Sequence, residues 1–368
     1  MFNASKLRLA RTFQGLTQQE LGDRVSVSHV LIHHLETGER RPTETVLPAL
    51  CEALGFEPEF FAQPLNDEFR DEDCHFRKRK TTPVSVKSRV LAHGTLFNSL
   101  VQYVDGAVSL PDRNIPHLKA GSAEEIERAA EKSRMTWGLG LDAPITHVAR
   151  VLENAGVVVT RFEGQTQKID AFSRAGARCV VVLNAEKGSA SRTRWDMAHE
   201  LGHLVLHLGV AAGDPQQEDE AHRFAGAFLL PRAGFLREFK PMARLSWDTV
   251  FAIKRRWKVS AAAIVRRAYD LGRIDAITYR KAYKYLHYKG WAKTEPFEPE
   301  MEEPELVANA LNFLQTEEGV TPQQIASALG WKFEVLERVV GPVFPPPLPP
   351  RGDRGGKVVD FSARRRVR

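Results

Sequence analysis

The 368-residue sequence is poor in cysteine, holding only three, Cys51, Cys74 and Cys179. Three thiols, odd in number and far apart, exclude a disulfide framework and a structural zinc knuckle. Uninterrupted apolar stretches are also lacking. Nothing approaches the eighteen or so residues that a membrane span needs, and the opening MFNASKLRLARTFQ lacks the apolar core of a secretory leader. These absences point to a reducing compartment, expected to be the cytoplasm, and to no membrane partner. A global excess of basic charge is missing too, despite the formal +6. Residues 351–368 carry seven Lys or Arg against two Asp, so +5 of the charge sits at that end. Residues 1–62 carry six basic and eight acidic side chains, a net −2. Nucleic-acid binding therefore has to be argued from local pattern rather than from overall charge.

What is present suits a multidomain globular chain, with 43% apolar and 27% charged residues. The expected fold class is α+β, predominantly helical. Residues 1–62 read as a bundle of short helices punctuated by Gly15, Gly38 and Gly55. Residues 63–139 read as a linker region with helices near 84–105 and 122–137. Val157 to Thr160 and Arg178 to Leu183 are β-branched runs bounded by Gly and Asn, as strands require. Arg192 to Leu208 and Gln217 to Leu230 read as helices, and together these elements suggest a small-sheet core over 140–240. Residues 241–340 read as helical, with a basic, solvated face over 246–290. Residues 341–368, rich in Pro and Arg, read as a disordered tail.

The most informative string is His199-Glu200-Leu201-Gly202-His203. Histidines four apart on a helix share a face, about 5–6 Å apart at Cβ, and can both reach one zinc ion. Glu200 lies beside that face and can take a proton from an attacking water. A third ligand has to come from elsewhere. Glu218 is placed for it, because Glu218, Ala221 and Ala225 share one face of the next helix and the alanines allow close approach. Glu220 is the alternative. A metzincin pattern is excluded, since its third His would fall at Gly209 and its Gly at Leu206. His207 extends the His series, and the plainer reading makes it a polar helix end rather than a ligand. The strand around Val181 is a candidate edge for an extended substrate segment.

Taken together, Ile169 to Ser173, Val180 to Asn184, Trp195 to His203 and Glu218 to Pro231 resemble the ImmA/IrrE metallopeptidases. That resemblance implies a gluzincin-like zinc site, with His199 and His203 as ligands, Glu200 as general base, and a repressor protein as substrate in stress or mobile-element regulation. His222 departs from it, standing where the family usually has Asn or Asp.

Leu16 to Glu36 carries a second pattern. Thr17 can cap a helix with Glu20 closing a capping box, Ser28 can cap the next, and Val27, Ile32 and Leu35 form an apolar stripe. This stretch resembles the XRE family of helix-turn-helix proteins. The resemblance implies that Gln18 contacts phosphate and that Ser28, His29, Val30, His33 and His34 face bases, with Arg40 and Arg41 beside the backbone. His and Val are weak base readers, so a protein-docking role is the alternative. Residues 246–290 look like a second helix-turn-helix-type segment. The expected protein is a DNA-binding transcriptional regulator and zinc endopeptidase that binds operator DNA, paired as a homodimer, and a protein substrate. A non-proteolytic repressor or antitoxin with a structural zinc is the alternative.

Overall fold

The computed structural model describes residues 2–78, 83–162, 169–185, 188–210, 214–242, 244–292 and 294–341. In chain order the helices and strands begin with α1 Ala4–Gln14, α2 Gln18–Arg24, α3 His29–Thr37, α4 Val46–Leu54 and α5 Pro58–Ala62. Strand β1 (Cys74–Lys78), α6 (Val84–Ala107), α7 (Ala123–Thr136) and α8 (Val148–Asn154) follow. Then come β2 (Val157–Phe162), β3 (Ile169–Arg174), β4 (Cys179–Asn184), α9 (Ala190–Leu206), α10 (Pro215–Leu229) and α11 (Arg232–Glu238). The chain closes with α12 (Trp247–Trp257), α13 (Ala261–Asp270), α14 (Ala276–Tyr288), α15 (Leu306–Thr316), α16 (Pro322–Ala328) and α17 (Phe333–Val340). The fold is α+β and mainly helical. The expected tail at 342–368 lies outside the described residues, and no described helix is long and apolar enough to cross a membrane.

The four-stranded sheet has the order β1-β3-β4-β2, with β2 parallel to β4 and the other pairs antiparallel. Its two faces are both buried, which explains the unbroken β-branched runs. Val157, Val159, Val181 and Leu183 face one core, and Val158, Phe162, Val180 and Val182 face the other. That alternation is the period of two inherent in a strand. The first core packs under α7–α10 and α12–α13, and the second under α6, α15 and α17 together with the N-terminal helices.

Residues from several of the expected segments share each core. The supposed linker supplies both the edge strand β1 and the buried helix α6, whose Leu96, Phe97, Leu100 and Val101 are at most 1% exposed. Helices α12 and α13 belong to the core that carries α9, whereas α15–α17 fold back onto the N-terminal bundle. There Glu57 N donates to Gly330 O at 2.8 Å and Lys332 N to Gly55 O at 3.0 Å. Gly330 has φ +70°, and a Cβ on it would stand 2.7 Å from Phe60 N, so a side chain there would break the junction. On the basic face expected to be solvated over 246–290, Arg255, Arg256, Arg280, Lys281, Lys284 and Lys289 are exposed, whereas Lys254 and Arg267 turn inward. Lys254 is buried and paired with Glu295 (2.9 Å) and Glu298 (2.5 Å). Arg267 is buried and bidentate to Glu127 at 2.8 and 2.5 Å. A buried guanidinium or ammonium requires such a partner.

Candidate metal centre and DNA-reading face

Helix α9 lies buried along almost its whole length, with His199, Glu200 and His203 at 1%, 0% and 1% exposure. Its N-terminus is fastened by Glu298, whose carboxylate accepts from Ser191 N at 3.1 Å and Ser191 Oγ at 2.9 Å. A carboxylate there satisfies amides left unpaired at a helix start and complements its dipole. Glu302 does the same for α8, accepting from Val148 N at 2.6 Å, and also pairs with buried Arg194 of α9. The acidic stretch Glu295 to Glu305 is thus a set of helix caps and ion-pair partners that orient α9. Sequence reasoning missed this role; the repeated Glu near Pro in a solvent-excluding context was the available signal.

Helix α10 crosses α9 at Gly202. A Cβ at Gly202 would lie 3.1 Å from Ala221 Cα and 3.2 Å from Ala221 O, so the backbones touch where a side chain would separate them. One turn before Ala221, Glu218 reaches across. Its Oε2 is 3.4 Å from His199 Nε2, its Oε1 is 3.3 Å from His203 Nε2, and the two ring nitrogens are 3.2 Å apart. Burial alone would raise the Glu218 carboxyl, but hydrogen bonding with His199 and His203 outweighs it and holds the group well below the usual carboxylate range. Two buried imidazoles and a carboxylate, with ligand atoms all within 4.8 Å of one another, form a metal-type donor set. Ligands at zinc's bond lengths around a tetrahedral centre stand roughly 3.3–3.5 Å apart, and the three observed separations fall close to that spacing.

Glu220 points elsewhere. Its Oε2 is 2.8 Å from His207 Nε2, and His207 Nδ1 is 3.0 Å from His203 Nδ1. With both rings neutral, a carboxylate at Glu220 accepts from His207 Nε2–H. His207 Nδ1 then accepts from His203 Nδ1–H, the tautomer in which His203 Nε2 would present its lone pair to a metal instead of donating to Glu218. His207 is thus the polar end of α9, at its C-cap, and lies outside the three-residue donor set; buried there, it backs His203. His222 packs against Trp195 at 4.9 Å between ring centroids and lies 6.0 Å from the His199 ring. The expectation that Val181 sits on an accessible strand edge is overturned. Strand β4 is interior, flanked by β3 and β2, so both its hydrogen-bonding edges are taken. Cys51, Cys74 and Cys179 are all buried free thiols, and burial pushes each one up, Cys51 to about 11, which makes them poor nucleophiles.

At the N-terminus the expected caps are present. Thr17 and Glu20 form a reciprocal capping box, Ser28 Oγ accepts from Leu31 N, and Gly38 ends α3 in the left-handed region at φ 79°. Ile32 and Leu35 are fully buried, but Val27 is only half-buried. Ser28, His29, Val30 and His33 are exposed along α3, with His34 half-buried beside them. Arg40 and Arg41 are exposed just beyond. Gln18 is half-buried and donates to Glu36 Oε2 at 2.8 Å, and Glu36 also receives Arg11 at 2.5 and 2.9 Å. That network fixes the start of α2 against α3.

Comparison with known families agrees with both halves. Residues 4–61 match a helix-turn-helix domain, which spans α1 to α5. Residues 152–269 match the M78 peptidase family, described as the IrrE N-terminal-like domain, and so extend through α13. No curated protein matches the chain. By these two matches the chain joins an N-terminal helix-turn-helix domain to an ImmA/IrrE-type domain.

Proposed function

We propose that this protein is a DNA-binding transcriptional regulator whose ImmA/IrrE-type domain is a zinc-dependent endopeptidase acting on a repressor-type protein. The observation that carries this reading is the convergence of His199, His203 and Glu218 at near-tetrahedral spacing, with Glu200 on the same helical turn. In this reading His199, His203 and Glu218 hold the metal. A zinc ion held there supplies Lewis acidity toward a scissile carbonyl and a water. Glu200 accepts the proton of that water and returns it to the departing amine. Its full burial places this proton transfer where bulk solvent does not compete. The α3 residues His29, Val30, His33 and His34, with Ser28 at its cap, read base edges, while Gln18, Arg40 and Arg41 sit toward the phosphates.

The test is to incubate the zinc-loaded protein with candidate repressors encoded in the same genome and to read cleavage by mass spectrometry. Glu200→Gln retains zinc, because Glu200 is not a ligand, and cleavage falls by the roughly 10²–10⁴-fold expected for a lost general base. A Glu200→Gln protein that cleaves or regulates like the wild type sinks the peptidase reading and leaves a repressor or antitoxin with structural zinc.

A further inference from the structure

On the sheet face opposite α9, a cavity of about 880 Å³ opens between α1, α6, β2, α15 and α17. Its walls are apolar where Phe13, Phe97 and Phe162 line it. Four basic side chains line it: Arg338, Arg89, His93 and Arg161, the last of them paired with Glu303. His93 is 3% exposed, its ring stacked on Phe13 at 6.1 Å and edge-on to Phe162 at 5.1 Å. Its Nε2 has no hydrogen-bond partner among the described residues. Arg89 makes no ion pair or hydrogen bond with a described residue. Arg338 donates to Gln14 Oε1 at 2.5 Å and lies over the Phe13 ring at 4.6 Å, but meets no carboxylate among the described residues.

Arg89 and Arg338 thus line the cavity without an ion pair among the described residues. Burial, and then the neighbouring Arg89, hold the Arg338 guanidinium below its usual range. Leaving a desolvated charge unpaired costs free energy. Of the carboxylates that line the cavity, Glu303 is taken by Arg161 at 3.1 Å, and Glu334 and Glu337 stand exposed at the rim beside the equally exposed Arg338, while Arg89 is half-buried and has no partner among the described residues. Guanidinium forks match carboxylate and phosphate geometry, and a cavity of this size suits a small organic molecule.

We propose that this cavity is a binding site for a small aromatic organic anion, its carboxylate or phosphate held by Arg89 and Arg338 and its ring packed against Phe13, Phe97 and Phe162, with His93 Nε2 at the floor. Phe13 belongs to the helix-turn-helix domain and Phe162 to the sheet that carries the peptidase-type core. A ligand bridging them is therefore an effector of how the two halves are held together. The site shares no residue with the metal centre and does not depend on peptidase activity.

The test uses the full chain and the arylsulfonate probe 8-anilinonaphthalene-1-sulfonate, followed by fluorescence, with benzoate, phenyl phosphate and benzyl alcohol as competitors. Saturable binding is expected, displaced by benzoate or phenyl phosphate but not by neutral benzyl alcohol; the better of the two acids identifies the head group. Arg89→Gln weakens binding by at least about tenfold, as loss of a charge-assisted contact does, while the melting temperature of the unliganded protein stays level or rises. Absence of saturable binding overturns the proposal, as does unchanged binding in an Arg89→Gln/Arg338→Gln double variant. Equal competition by benzyl alcohol, or a lower melting temperature in Arg89→Gln, makes the pocket apolar or the arginine structural, and either result rejects the anion site. Binding that appears only after removal of residues 342–368 makes the chain's own end the occupant and rejects it too.

Discussion

Gly202 and Ala221 are in backbone contact, and this contact sets the distance between α9 and α10. A Cβ at 202 would lie 3.1 Å from Ala221 Cα, while the donor atoms one turn away are only 3.2–3.4 Å apart. Parting the helices by a few tenths of an ångström therefore moves Glu218 directly. Gly202→Ala gains up to about 1 kcal/mol of helix propensity, which offsets part of the roughly 1–3 kcal/mol that overpacking costs. Gly202→Val has less propensity gain and a larger clash. The expected outcome is weaker zinc retention in Ala and much weaker retention in Val, measured by chelator competition. Wild-type zinc affinity in Gly202→Val would show that the helix spacing does not govern the site.

The contacts His203–His207–Glu220 make a separate prediction about the metal. Losing the group that orients a ligating imidazole typically costs 10–100-fold in metal affinity, so His207→Ala is expected to lose about that much. Glu220→Gln keeps a hydrogen-bond acceptor and loses less, whereas Glu218→Gln removes a ligand and loses most of the zinc. The d–d spectrum of the cobalt-substituted protein gives an independent reading, since it changes when His203 is no longer held. If Glu220→Gln proves worse than Glu218→Gln, the third-ligand role belongs to Glu220.

On DNA, the exposed positions of α3 and the flanking arginines separate into two kinds. Arg41→Ala and Gln18→Ala are expected to weaken binding to every sequence, and Arg41→Ala also to lower the salt dependence. His29→Ala and His34→Ala should instead change which sequence is selected. Two copies of the chain are expected to prefer half-sites about one helical turn apart. Selection from random DNA checks all of this. If no motif is enriched at any salt, the N-terminal domain is a protein-docking module.

His93 links packing to pH. Burial first, then Arg338 and Arg89, push its imidazole down to about 4, against about 6.5 in an unfolded chain. Between those values the unfolded state binds a proton that the folded state does not, so stability increases with pH there. The contribution is complete above about pH 6.5 and is lost as pH falls toward 4, by about 3 kcal/mol in all. Urea denaturation at pH 7 and pH 4.5 is expected to show a smaller acid loss in His93→Gln than in the wild type. Equal losses would place the His93 titration at its unfolded value.

The sequence alone determined the features set by short-range physics. Capping by Thr17 and Ser28 depends on residues three apart, and the shared face of His199 and His203 on residues four apart, so local spacing was enough. The runs at Val157 and Cys179 announced strands because a sheet buried on both faces favours near-continuous apolar runs rich in β-branched residues. Glu218 and Glu220 could not be separated in that way, since both sit on the same turn. The crossing at Gly202 and Ala221 turned one toward the histidines, and the position of His207 drew the other away. Tertiary packing likewise decided that Val181 lies on an interior strand, that Lys254 and Arg267 are buried in ion pairs, and that α15–α17 return to the first domain. Each of these depends on residues from 13 to roughly 270 positions apart, held by side-chain packing and charge pairing that no local period encodes.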